Sequence, residues 1–139
     1  MNSIITLTLP SDVIFTRFAS QTAERAALLM LNSCDADTGN WQFVHAFELA
    51  VSEAFANAVT NAEQPGTLQT VIINFIFEQQ RLTVTVRDTN QQFSTETPTP
   101  DIDSYPEKGY GLLLIRTVMD NVSCIRENGA NILSMSKQL

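Results

Sequence analysis

Cysteine, histidine and basic residues are all scarce in this chain, and each scarcity removes a class of function. The two cysteines, Cys34 and Cys124, lie far apart and form no C-x-x-C pair. Neither a disulfide framework nor a thiolate zinc site is encoded, and reduced thiols are expected. The single histidine, His45, has no serine or cysteine placed for a nucleophilic triad, so triad hydrolysis has no basis. Eight Lys and Arg stand against 15 Asp and Glu, a net charge of −7. With no basic cluster, the electrostatic footprint of a nucleic-acid binder is missing, and a basic or neutral protein partner fits better. No run approaches the ~18 apolar residues of a membrane span. Residues 1–10 carry no basic region and too short an apolar run for a secretory signal. A soluble, cytoplasmic protein is expected, with no direct nucleic-acid or membrane contact.

What is present is an ordinary globular composition: 139 residues, 44% hydrophobic and 17% charged. That length reads as one domain, able to bury roughly two thirds of its unfolded surface. Ile5, Leu7 and Leu9 alternate with Thr6 and Thr8, a strand stopped by Pro10. Ser11 or Asp12 can cap the helix that follows, with Ile14, Phe18, Ala26, Leu29 and Met30 on its inner side. A second helix runs from about Trp41 to Asn61 and ends at Gln64-Pro65-Gly66. Two strands come next, one with Val71, Ile73, Phe75 and Phe77 inward, the other with Leu82, Val84 and Val86. Residues 89–107 hold three prolines, four acids and no basic residue, a long loop of the kind that serves as a lid or binding loop. Lys108-Gly109-Tyr110-Gly111 opens a third helix through Leu112 to Asp120, and a closing hairpin turns at Asn128-Gly129. Strand, two helices, two strands, loop, helix, two strands predicts an α+β, two-layer sandwich with a mixed sheet and helices on one face.

Three features carry chemistry. Glu53, Asn57 and Asn61 recur at i, i+4 and i+8, one polar stripe along the second helix beside its apolar face. A carboxylate and two amides there are costly to desolvate without a partner, which a bound cation and phosphate would supply; a polar boundary of a core helix is the bland alternative. Asp88 ends an apolar strand row where Val or Ile is expected. It either opens a turn with Asn90 or offers its carboxylate to an amino group such as that of adenine. Gly109-x-Gly111 before a helix suits a phosphate, since absent side chains admit close approach and helix-start N–H groups attract anions. Gly is also common in loops, and Lys108 beside it either neutralises phosphate or sits in solvent.

Taken in order, Val51-Ser52-Glu53-Ala54 through Asn57-Ala58, a strand ending in Asp88, a variable loop, Gly109-Tyr110-Gly111-Leu112, Met119-Asp120-Asn121-Val122 and the closing Met135-Ser136-Lys137 resemble the GHKL ATPase superfamily, which has the Bergerat fold. The chain looks most like the stand-alone serine-kinase anti-sigma factors of bacterial partner switching. The resemblance implies ATP or ADP with Mg²⁺ as cofactors. It makes Asn57 the Mg²⁺ ligand, and Glu53 the residue that orients or deprotonates the attacking hydroxyl. Asp88 would bind the adenine amino group, with Ser136 as a second adenine contact. Lys108, Gly109, Gly111 and Leu112 would form the phosphate side, and residues 89–108 the ATP lid. The implied function is an ATP-dependent serine/threonine kinase acting as an anti-sigma factor, with a non-catalytic partner-binding module of the same fold as the alternative. The implied partners are a sigma factor, an anti-anti-sigma antagonist carrying an acceptor serine, and a second copy of the chain. Two positions depart from the pattern: Asn90 stands where relatives carry Gly, and Asn61 where they carry His.

Overall fold

Alternation of apolar and polar residues builds five strands in this computed structural model, which describes residues 3–34, 40–60, 69–89 and 107–139. They are β1 (Ser3–Pro10), β2 (Thr70–Glu78), β3 (Arg81–Asp88), β4 (Asn121–Glu127) and β5 (Ala130–Gln138), in the order β1-β2-β3-β5-β4. Val71, Ile73, Phe75 and Phe77 of β2 and Leu82, Val84 and Val86 of β3 are buried, as their alternation predicts. The sheet differs from expectation in one respect. All four neighbouring pairs are antiparallel, so the sheet is not mixed. The crossover from β3 to β4 does give those two strands the same direction, but β5 inserts between them and opposes both.

Three helices lie against the sheet: α1 (Thr16–Ser33), α2 (Trp41–Thr60) and α3 (Glu107–Val118). A single 3₁₀ turn, Val13–Phe15, precedes α1; Asp12 caps it by accepting from the Ile14 N–H at 3.1 Å. The inner face of α1 is not the one the large residues suggest. Ile14, Phe18 and Leu29 are 73%, 56% and 51% exposed, and the buried stripe is Ala19, Ala23, Ala26, Ala27, Met30 and Leu31. Of the expected inner residues only Ala26 and Met30 are buried. The reason is the partner helix. α2 also presents alanines, at 46, 50, 54 and 58, all buried, and small side chains allow two helix backbones to approach closely while bulkier neighbours are turned away.

α2 is organised as parallel i, i+4 ridges. Phe43, Phe47, Val51 and Phe55 form one and are completely buried or nearly so; the alanines form the second. Glu53 and Asn57, both half-buried, continue a third. Burying each Phe ring stabilises the fold by roughly 1.5–3 kcal/mol relative to leaving it in water. Asn40 caps α2 by accepting from the Phe43 N–H at 3.3 Å.

The far end of α3 is tied to β5 by several polar contacts. Lys137 Nζ donates to the Val118 carbonyl at 3.0 Å, the Asp120 N–H to the Ser136 carbonyl at 2.9 Å, and the Gln138 N–H to Asp120 Oδ2 at 2.8 Å. A cation on the terminal carbonyls also complements the helix dipole. β4 and β5 join at Asn128 (φ 51°) and Gly129 (φ 76°), both left-handed as a tight type I′ hairpin requires. The Gln64-Pro65-Gly66 terminator, Asn61, and the expected lid from Asn90 to Pro106 lie outside the described residues.

A Cβ at Gly129 would meet nothing within 4 Å, so its substitution isolates backbone strain. Gly129→Ala should destabilise the protein by about 1 kcal/mol, the left-handed cost for an L residue, with no change in the slope of urea unfolding.

Candidate functional site

The polar ridge of α2 meets the start of α3 at one point. An ideal Cβ built on Gly111 would lie 2.8 Å from Asn57 Nδ2, 3.2 Å from Asn57 Oδ1 and 3.1 Å from Glu53 Oε2. The first is closer than real Cβ atoms come and the other two are tight, so glycine at 111 lets the Glu53 carboxylate and the Asn57 amide take up these positions together. α2 sets their spacing and rigidity; the β5 tether holds α3 in place opposite. Gly111 lies four residues into α3, where by the i to i−4 rule its N–H belongs to the helix ladder. It therefore contributes space. The N–H groups that no helical carbonyl can claim belong to the first turn, which contains Lys108 and Gly109. Leu112 is buried in the hydrophobic core next to this junction.

The second cluster is a row across three strands. Register places Asp88 of β3 opposite Asn131 of β5, and Asn131 opposite Arg126 of β4. The rows on the same side of β3 and β5 are apolar: Val86 faces Leu133, and Val84 faces Met135. Asp88 is 8% exposed and Asn131 only 1%. Asn131 Nδ2 donates to Asp88 Oδ1 at 3.0 Å, and Arg126 Nη1 donates to Asn131 Oδ1 at 3.0 Å. Cys124 faces Leu133, one row further along. Burial pushes its thiol above the ordinary value, the nearby Asp88 carboxylate pushes it higher, and a backbone hydrogen bond with Ile132 partly offsets them.

The structure therefore gathers Glu53, Asn57 and Gly111 at one junction, and seats Asp88 in a polar row. Ser136 joins neither. It is paired with Thr83, five positions along β3 from Asp88, roughly 16 Å at the strand rise. Its strand neighbour Lys137 reaches the helix layer, so alternation turns the Ser136 side chain to the opposite face. The Met135-Ser136-Lys137 segment works instead as the anchor of α3. Asn131 and Arg126 escaped the sequence reading. Their signal is only a register, Asn131 one residue into the strand after the Asn128-Gly129 turn, legible once the pairing with Asp88 is known.

These geometries generate two expectations. Gly111→Ala forces the Asn57 and Glu53 side-chain ends to move without straining the backbone. The variant should fold with stability unchanged or up to ~1 kcal/mol higher, because Ala favours a helix interior, while any ligand bound through those two side chains is lost; calorimetry with parallel thermal melts checks both. The Cys124 thiol should react slowly, since a raised pKa leaves less thiolate at a given pH. In a Cys34→Ser background, Asp88→Asn removes one of the two raising influences and should speed Cys124 alkylation at about pH 8, read by mass spectrometry.

Comparison with known proteins assigns the family. The histidine kinase-like ATPase domain family matches residues 17–137. The serine-protein kinase RsbW of Staphylococcus aureus strain JH9 is 34% identical over 103 residues, spanning 66% of this chain and 64% of the relative, and the same protein of strain Newman matches equally. The described helices include none long and apolar enough to cross a membrane. The match over residues 17–137, with the α+β sandwich built on α2, the Asp88-ended strand and α3, places this chain in the histidine kinase-like ATPase domain family.

Proposed function

We propose that the chain is an ATP-dependent serine/threonine protein kinase that acts as an anti-sigma factor, holding a sigma factor and phosphorylating an anti-anti-sigma antagonist on a serine. The observation that supports it most is the junction of Glu53, Asn57 and Gly111, where an acid, an oxygen donor and a missing side chain converge. Likeness to the serine-protein kinase RsbW supports the serine acceptor.

The residues fit Mg-ATP. Asn57 offers a neutral oxygen, the ligand type hard cations take. Among the described residues no group of three or more His, Cys, Asp or Glu gathers around a single point. Asn57 would hold Mg²⁺ through its side-chain oxygen. When bound, Mg²⁺ neutralises charge on the transferring phosphoryl group. Asp88 accepts from the adenine amino group, and the first turn of α3, with Lys108 and the Gly109 N–H, receives the phosphates. Glu53 orients the acceptor hydroxyl and takes up its proton as the oxygen attacks, a general-base role that needs a carboxylate within hydrogen-bond reach. The working context is the cytoplasm, with the chain acting as one domain and as a homodimer.

Thermal unfolding with ATP or ADP, with and without Mg²⁺, tests nucleotide binding; ligand at 100 times its Kd should stabilise the protein by about 2.7 kcal/mol. Glu53→Gln should abolish phosphate transfer to the antagonist serine, by at least ~100-fold, with nucleotide affinity kept. Asn57→Ala should remove the Mg²⁺-dependent part of binding. Binding of a sigma factor by wild-type protein that transfers no phosphate to any antagonist would assign the chain to the non-catalytic module of this fold.

A further inference from the structure

Hydrogen bonding along the polar row has a fixed direction. An arginine only donates, so the atom of Asn131 facing Arg126 must be its carbonyl oxygen. The amide nitrogen then faces Asp88, where the structure places it, 3.0 Å from Oδ1. An ionised carboxylate only accepts, which demands the same orientation from the other side. Both neighbours thus agree on a single amide orientation, the one that satisfies both hydrogen bonds of this buried side chain. The consequence is a relay, Arg126 to Asn131 to Asp88, that holds the carboxylate by its Oδ1 as a hydrogen-bond acceptor.

We infer that Asn131, oriented by Arg126, is the positioning residue that sets base specificity, favouring a purine with a 6-amino group over one with a 6-oxo group. The inference rests on the proposal that Asp88 receives the base. A 6-amino group donates to the held carboxylate. A 6-oxo group meets it acceptor to acceptor, and the Asn131 donor nearest to it is already engaged by the carboxylate. Neither Asn131 nor Arg126 need touch the nucleotide.

ATP and ITP differ at this one substituent, so their affinity ratio reads the relay directly, whereas general loosening of the fold would weaken both together. Calorimetric titration of the wild-type protein should give ATP at least ~10-fold tighter than ITP. Asn131→Asp keeps the shape and the bond from Arg126 but turns the donor facing Asp88 into a second acceptor. It should bring the ATP to ITP ratio close to one. Arg126→Met alters an exposed strand residue, leaves the buried pair in place, and should lower the ratio by severalfold with the melting temperature nearly unchanged; it keeps the test decisive where Asn131→Asp folds poorly. A wild-type preference for ATP that Arg126→Met and any folded Asn131→Asp both retain would overturn the relay while leaving the nucleotide assignment standing. Wild-type protein that binds neither nucleotide would overturn both.

Discussion

The inner rows on the helix-facing side of the sheet are apolar, and the buried carboxylate in the row at one end is the constraint on which the rest depends. Burying Asp88 costs several kcal/mol unless partners replace the water it loses. Asn131 is such a partner, and it can serve because β5 inserts between β3 and β4 and so brings Arg126 within reach on the far side. Among the described residues no buried side-chain nitrogen or oxygen lacks a hydrogen-bond partner. The strand order that makes the sheet wholly antiparallel is also the one that makes a carboxylate affordable in its interior.

α2 links this sheet to the second cluster. Its phenylalanine and alanine ridges are locked between the sheet and α1, so the Glu53 and Asn57 ridge inherits the rigidity of the core without being engulfed by it. Precision at a site comes from such supports more than from the site residues themselves. α3 completes the junction from the other side. Its far end is pinned to β5 through Lys137, Asp120 and the Ser136 backbone, and its near end contributes an absence, the missing Cβ of Gly111. One strand, β5, thereby supports both clusters: Asn131 at its start orients Asp88, and Lys137 near its end holds the helix that carries Gly111.

By itself the sequence determined what depends on local periodicity and backbone preference. The alternation in β2 and β3, the Asn-Gly turn, the start of α2 at Trp41 and the placing of Glu53 beside Asn57 all follow from side-chain direction and backbone preference over a few residues, and each appears in the structure. So does the oddity of Asp88 at the end of an apolar row. Only the tertiary structure decided what depends on which element lies next to which. The inner face of α1 went to alanines and not to Ile14, Phe18 and Leu29, because a helix facing another alanine-lined helix gains more from close approach than from burying scattered large side chains. Ser136 was turned away from Asp88 and Asn131 turned toward it, because a difference of one residue in strand register exchanges the two faces of a sheet. Composition carries no trace of register, so the partner of the buried carboxylate became visible only when the strands were paired.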